Sequence, residues 1–310
     1  MICFGPIPSR RLGKSLGVNN IPNQKICSYS CVYCQIGARQ RFSYERMAMY
    51  KPEEIREEVA KHLNKLKADN KPDFITFVAN GEPTLDINLG ESILLLKEFN
   101  IPIAVITNGT LLDNAQVRDE LMEADWVSIK IDAAEESIWS KINRPHHSLN
   151  FDDICEGKRL FAKQFQGILV SETMLIDDIN DNGFSVECTA YNVFLTNPSK
   201  AYISIPTRPP AISGIKPASP EAVNTAYHIF THQGLNTELI LGFEGTNTGY
   251  TGNAKDDILN ICSVHPIRED TMRELLHKDN ANSSVLNELL ESKQVIELEY
   301  DSLKFYLRNR

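Results

Sequence analysis

An α/β fold closed by a small α+β unit is what this 310-residue sequence predicts, and three observations carry the reading. From residue 73 to about 206, short runs rich in Val, Ile and aromatics alternate with amphipathic stretches. Beyond residue 254 that alternation gives way to three helix-length patterns and a hairpin. Before the first long helix, three cysteines fall within eight positions, in KICSYSCVYCQIGA (25–38).

The elements follow in order. A first strand is expected near KSLGVNN (14–20). A helix over 51–68 opens with KPEEIREEV, where Pro and acids suit the unpaired N–H groups of a first turn. Strands are expected at DFITFVA (73–79), IPIAVIT (101–107), WVSIKID (126–132), GILVSETML (167–175) and KAYISIP (200–206). Each is short and almost continuously apolar, the pattern of strands buried on both faces. Helices are expected between them at 88–98, 114–124, 135–141 with 150–165, and 183–195. Alternating β and α elements imply parallel strands joined by right-handed crossovers. Six βα units build either a doubly wound sheet or an incomplete barrel, and periodicity does not choose. LGFEGTNTGYTGNAKDD (241–257) is rich in Gly, Thr and Asn and reads as a loop or linker. After it, KDDILNICSVH, REDTMRELLHK and NSSVLNELLES repeat apolar residues at helical spacing, and QVIELEY-DS-LKFYLR reads as a β-hairpin. Three short helices and a hairpin are the order of a winged helix.

Composition narrows the function classes. With 42% hydrophobic and 24% charged residues the chain has ordinary globular character. No apolar run approaches the ~20 residues of a membrane helix, and MICFGPIPSRRLGKSLG has no apolar core before a cleavage site. The expected setting is the cytoplasm, with reduced thiols and no membrane partner. Seven cysteines, an odd count, argue against a disulfide framework. Cys3, Cys155, Cys188 and Cys262 are scattered and expected as small buried hydrophobes. The net charge of −9 is uneven. Residues 1–50 carry seven basic residues against Glu45, a balance of +6; residues 255–310 sum to −3, which leaves −12 for the middle. Positive charge therefore surrounds the cysteines, where it can meet an anion.

Cys27, Cys31 and Cys34 are spaced C-x3-C-x2-C. Four protein ligands saturate a metal, whereas three leave a position open. Iron–sulfur clusters are normally held by four thiolates, so a cubane on three has one iron free for another ligand. The spacing is too irregular for one helical face and requires a wrapping loop. Its place after a first strand is where α/β proteins carry their chemistry. A zinc site using these thiols and a distant His is the alternative, as are three unligated thiols, but no second C-x2-C pair follows.

With Tyr33 preceding the last cysteine, this run resembles the radical S-adenosylmethionine (radical SAM) superfamily. There three thiolates hold a [4Fe–4S] cluster, and the amino and carboxylate groups of S-adenosylmethionine (SAM) chelate its fourth iron. One electron cleaves the sulfonium, and the resulting 5′-deoxyadenosyl radical takes a hydrogen atom from the substrate. The resemblance implies an incomplete (βα)6 barrel over residues 1–240, a linker at 241–254 and a winged-helix-like domain at 255–310. It implies a [4Fe–4S] cluster on Cys27, Cys31 and Cys34, with SAM beside it. NGEPTLD (80–86) is similar to the family's Gly-Gly-Glu motif, with Asn80 in place of the first Gly. Gly81, Glu82 and Pro83 are then expected at the methionyl amino group, Gly81 allowing close backbone approach. TNGT (107–110) and KIDAA (130–134) close the next strands, which puts Asn108, Lys130 and Asp132 at the ribose and methionyl carboxylate. KINRP (141–145) matches a common family segment, with Arg144 expected to clamp a carboxylate. Backbone near Ile205 is expected to flank the adenine, with Tyr33 beside it.

FGPIPSRRLGKSLGVN and AYISIPTRPP further resemble a branch of Fe–S oxidoreductases grouped with wybutosine-synthesising enzymes of tRNA, over nearly the whole chain. No flavodoxin-like domain is evident, which implies a separate electron donor of flavodoxin or ferredoxin type. The expected substrate is RNA or, alternatively, a peptide or protein; a non-enzymatic zinc or redox module is the third reading. RELLHKDNANSSVLNELLES lacks the basic face of a recognition helix, which favours the peptide. Finally, PSRRLGKS (8–15) and ARQR (38–41) are expected to rim one opening through Arg10, Arg11, Arg39 and Arg41. Arg10, Arg11 and Arg208 are expected to take an anionic substrate group by forked hydrogen bonds. The alternative for Arg10 and Arg11 is pairing with the acidic middle of the chain.

Overall fold

The computed structural model describes residues 2–22, 24–37, 41–66, 70–242, 245–263 and 265–309. The chain begins with an antiparallel hairpin of β1 (Cys3–Ser9) and β2 (Gly13–Val18). A two-stranded ribbon of β3 (Ile26–Cys27) and β4 (Arg41–Phe42) follows, then α1 (Pro52–Lys65). The βα series continues as β5 (Phe74–Phe77), α2 (Leu89–Leu96), β6 (Ile103–Thr107), α3 (Ala115–Leu121) and β7 (Trp126–Lys130). Next come α4 (Glu136–Asn143), α5 (Phe151–Gln164), β8 (Ile168–Met174), α6 (Gly183–Phe194), β9 (Lys200–Ser204), α7 (Pro220–His232) and β10 (Thr237–Ile240).

Among the described residues the main sheet has eight strands in the order β1-β2-β5-β6-β7-β8-β9-β10, parallel from β2 onward. This curled half-barrel is the incomplete (βα)6 barrel expected from the sequence, with two additions. β10 extends the parallel run, and β1 covers the other edge antiparallel. Both were hidden by their edge positions. β1 contains Pro6 and Pro8 and is bulged between Phe4 and Ile7, as an edge strand tolerates. β10 is four residues long with only Ile240 buried. Helix α7 also escaped the reading, although Ser219 caps it and Pro220 opens it.

Burial explains the continuous apolar runs. One cluster joins the sheet's outer face to the helices, through Leu16, Ile75, Val127 and Ile203 against Ile55, Ile93, Val117, Phe161 and Phe230. The inner face has its own cluster of Leu12, Ala104, Trp126, Val170, Tyr202 and Ile240. Apolar side chains are therefore needed on both faces of each central strand.

The C-terminal part contains α8 (Ala254–Cys262), β11 (Ile267–Arg268), α9 (Glu269–Lys278), α10 (Ser283–Glu291), β12 (Val295–Tyr300) and β13 (Leu303–Arg308). Its small sheet has the order β11-β13-β12. Its core, including Ile258, Ile261, Leu275 and Leu289, is continuous with Phe4 and Ile7 of β1. The preceding loop is packed as well: Thr248 is buried, and Gly249 N–H donates to the Pro6 carbonyl at 2.5 Å. No helix among the described residues is long and apolar enough to cross a membrane.

Candidate metal centre and cofactor cleft

The cysteine loop is strapped to the turn after β5 on one side and to the end of α4 on the other. Ile26 N–H donates to the Asn80 carbonyl at 3.1 Å, and Glu82 N–H donates to the Ile26 carbonyl at 3.0 Å. This contact requires glycine between them. Gly81 has φ +138°, and a Cβ there would lie 1.7 Å from the Ile26 carbonyl oxygen. On the other side, Ser30 N–H and Val32 N–H donate to the carbonyls of Asn143 and Ile142 at the end of α4, each at 2.9 Å.

Each cysteine sulfur of the loop is met by an N–H donor. Lys25, buried despite its charge, donates through Nζ to Cys34 Sγ at 3.1 Å and to the Gly37 carbonyl at 2.6 Å. Asn143 Nδ2 donates to Cys31 Sγ at 3.4 Å. Cys27 Sγ accepts from Tyr29 N–H at 3.4 Å and more distantly from Asn108 Nδ2 at 3.7 Å. Such donors favour negative sulfur. Burial works against it, pushing the Cys31 thiol up to about 12 and Cys27 upward as well, with neighbouring cysteines adding to both shifts. Buried thiols of this kind become thiolates when a metal replaces their protons. Among the described residues no three Cys, His, Asp or Glu side chains group as ligands of a single ion. Thiolates bound to separate irons of a cubane need not converge on one point, so this donor set fits a cluster.

The other cysteines lie elsewhere. Cys3 and Cys262 are buried as expected, whereas Cys155 and Cys188, on the outer helices α5 and α6, are half-exposed.

Glu82 is 2% exposed and both its oxygens are engaged. Oε1 accepts from Thr107 Oγ1 at 2.6 Å, Thr84 Oγ1 at 2.7 Å and Thr84 N–H at 3.1 Å; Oε2 accepts from Asn108 N–H at 2.7 Å. Burial pushes its pKa up, and the four donors oppose that shift. Asn108 then reaches onward through Nδ2 to Ser28 Oγ at 3.0 Å and to Cys27. One residue thus ties NGEP, TNG and the first cysteine together.

Asp132, just past β7, forms a second hub, and its side chain has no exposed surface. Oδ2 accepts from Tyr33 Oη at 2.5 Å and Asn143 Nδ2 at 2.8 Å, while Oδ1 accepts from Met174 N–H at 2.9 Å. Lys130 Nζ lies 3.3 Å from both Asp132 and Glu172 and 5.2 Å from the centre of the Tyr33 ring. Glu172 also accepts from Ser204 Oγ and pairs with Arg11.

A family model described as the radical SAM superfamily matches residues 21–185. The chain belongs to the radical SAM superfamily. UPF0026 protein MJ1312 of Methanocaldococcus jannaschii is 44% identical over 310 residues, covering 99% of this chain and 96% of that protein. Among solved structures, a radical SAM methyltransferase from Sphaerobacter thermophilus matches at a TM-score of 0.55 and 15% identity, over 73% of this chain and 66% of its own. Streptococcus suis SuiB bound to precursor peptide SuiA matches at 0.56 and 10%, over 74% of this chain and 49% of its own. At these identities the likeness is one of fold. The chain is accordingly a radical SAM enzyme, and its superfamily's cofactors are a [4Fe–4S] cluster and SAM.

In this radical SAM enzyme the structure gathers Cys27, Cys31, Cys34, Tyr33, Gly81, Glu82, Pro83, Asn108, Lys130 and Asp132 at the C-terminal ends of β5 to β7. Arg144 is exposed beside them at the end of α4, with φ +43°. Ile205 follows β9, and Arg208 beyond it donates through Nη1 to Gln35 Oε1 at 3.1 Å. Arg10 and Arg11 lie in the turn that precedes β2, whereas the cysteine loop follows β2. Arg11 enters the barrel from that side and meets Glu172, one of the middle segment's acids. Arg41 is exposed on β4, and Arg39 lies outside the described residues. Sequence reasoning missed Lys25 and Asn143. Each lay in a quoted motif, KIC and KINRP, but only the fold shows which sulfur it meets.

Proposed function

We propose that this radical SAM enzyme holds its cluster on Cys27, Cys31 and Cys34 and takes a hydrogen atom from an RNA substrate. The three thiols, each faced by an N–H donor and set beside buried Glu82, carry this reading. When bound, the cluster supplies the electron that cleaves SAM to methionine and the 5′-deoxyadenosyl radical. Lys25, Asn108 and Asn143 orient the sulfurs and favour their charged form. Glu82 fixes the NGEP turn and keeps negative charge where the methionyl ammonium is received. Asp132 holds Tyr33 upright beside the adenine side of the cleft near Ile205, and Lys130 provides the cation for the methionyl carboxylate.

An exposed aromatic face favours RNA. Phe42, in register with Cys27 across the β3–β4 ribbon, and Tyr44 lie 6.0 and 5.0 Å from the His146 ring, which lies 4.3 Å from that of His147. Phe42, Tyr44 and His147 are exposed beside Arg41. Rings with a basic neighbour suit the unstacked bases of a single strand. In this reading residues 1–240 are the catalytic barrel, 241–254 the connection and 255–310 a winged-helix-like unit. The enzyme works in the cytoplasm with a separate flavodoxin- or ferredoxin-type donor.

Anaerobic reconstitution, reduction and quantification of 5′-deoxyadenosine test the chemistry. The native protein should produce it, and Cys31→Ala should lose most of its iron and all of that product, whereas Cys188→Ala should keep both. Full iron retention by Cys31→Ala would refute the ligand set. Ultraviolet crosslinking to RNA, lost in the Phe42→Ala, Tyr44→Ala double variant, tests the substrate; crosslinking only to peptide would replace RNA with the peptide reading.

A further inference from the structure

One lysine reaches the cofactor cleft from the helix layer. Lys158 lies on α5, packed on the outer side of the sheet, yet it is only 7% exposed. Its helix is pressed against the turn that follows TNGT: a Cβ on Gly157 would lie 2.3 Å from Asp113 N. The Lys158 stem then crosses Gly109, where a Cβ would lie 2.7 Å from Lys158 Cε. Gly109 has φ +73°, so glycine there serves both the turn and the passage of the stem. At the tip, Nζ donates to the carbonyl of Lys130, the last residue of β7, at 2.7 Å. A single side chain therefore touches the turns after β6 and β7, the two that carry Asn108 and Asp132.

Lysine stems ordinarily carry their charge out to water, and a buried ammonium is costly unless it is compensated. Among the described residues the hydrogen bond of Lys158 goes to a neutral carbonyl alone, so its charge is supported through space. Burial pushes its pKa down, and Cys155, Asp132 and Glu82 oppose that shift. The attraction is mutual. Asp132 already pairs with Lys130, whereas the four donors to Glu82 are hydroxyls and backbone N–H groups of Thr84, Thr107 and Asn108. Lys158 thus sets a buried cation behind the carboxylate that lacks a charged partner of its own, where low exposure strengthens the effect.

We propose that Lys158 is a positioning residue for SAM: its stem and ammonium fix the spacing of the TNGT and KIDAA turns, and its charge balances Glu82, so that this carboxylate receives the methionyl ammonium. The inference rests on the reading that Glu82 faces that ammonium, and it goes further by making α5 part of the site.

Lys158→Met tests it, because methionine keeps the stem and removes the charge. In the reconstituted holoenzyme, calorimetric titration with SAM should show an affinity lower on the order of tenfold. The electron paramagnetic resonance signal of the reduced, SAM-free cluster should stay native. Lys158→Ala also removes the stem beside Gly109 and should melt below Lys158→Met. Native SAM affinity in Lys158→Met overturns the proposal. So does weaker binding accompanied by an altered SAM-free signal and a Tm as low as that of Lys158→Ala, since the lysine would then be structural only. If Lys158→Met does not fold, Lys158→Gln, which keeps a donor for the Lys130 carbonyl without the charge, is judged by the same readouts. A native holoenzyme that binds no SAM refutes the cofactor reading itself, and the inference falls with it.

Discussion

Replacing Asp132 by Asn separates two roles for this carboxylate, cofactor contact and support of Tyr33. Its oxygens take three hydrogen bonds, from Tyr33 at 2.5 Å, Asn143 at 2.8 Å and Met174 N–H at 2.9 Å, and lie 3.3 Å from Lys130. An amide keeps one oxygen. If that oxygen takes the Oδ2 position, Tyr33 and Asn143 keep their acceptor while an NH2 group faces Met174 N–H and Lys130. One charge-assisted bond is then lost, at about 1.5–3 kcal/mol, and a buried N–H is left unsatisfied. Lys130 keeps Glu172 at 3.3 Å, which limits the further loss. The expected destabilisation is about 2–4 kcal/mol, overlapping the lower part of the roughly 3–5 kcal/mol cost of breaking one side of a buried pair. Urea unfolding of the reduced apoprotein at pH 7 should show a lower midpoint with an unchanged slope. A cycle with Tyr33→Phe should be non-additive by roughly 0.5–3 kcal/mol, since the two groups share one hydrogen bond. Were Asp132→Asn to unfold at the native midpoint while SAM affinity fell, the carboxylate would face the cofactor and the hub argument would fail.

Gly81→Ala forces a Cβ to within 1.7 Å of the Ile26 carbonyl oxygen, at a φ that side chains rarely adopt. It should cost on the order of 3 kcal/mol and reduce iron loading, read by denaturation and iron assay; native loading and stability would mean the loop is not strapped there. Burial raises the pKa of Asp86, under the same turn, from 3.8 to about 6. The folded state thus binds its proton more tightly than the unfolded chain. This stabilisation is complete below about pH 4 and is lost as pH rises through about 6, on the order of 3 kcal/mol in all. Asp86→Asn should flatten that part of the stability–pH curve, and identical slopes would contradict the assignment. Arg11→Ala strips Glu172 of one of its two cations, so Tm should fall while the affinity for substrate holds. Native Tm with weakened substrate binding would return Arg11 to the substrate.

What the sequence showed, and what it did not, divides along physical lines. The central strands were legible because burial on both faces demands continuous apolar runs, as in IAVIT and WVSIK. β10 was not, because an edge strand of four residues with one buried side chain has no such demand. Cys27, Glu82 and Asn108 stood out because parallel strands deliver their last polar residues to one mouth, so identity and position coincide. Lys25 and Asn143 did not, because a lysine before a cysteine is ordinary until it is found buried with its ammonium on another cysteine's sulfur.

Charge counting had the same limit. It found +6 at the N-terminus and −12 in the middle, but not which groups meet. The fold pairs Arg11 with Glu172, Glu172 with Lys130, Lys130 with Asp132, and Asp132 with Tyr33. The five partners come from four parts of the chain: the first turn, β8, the end of β7 (Lys130 and Asp132) and the cysteine loop. Removing any one member leaves its neighbours charged or polar in a site of low exposure, where an unpaired group costs most. The basic N-terminal turn therefore bears on the cysteine loop through the barrel interior. Its influence on chemistry should travel through the seating of Tyr33, which the Asp132 cycle measures directly.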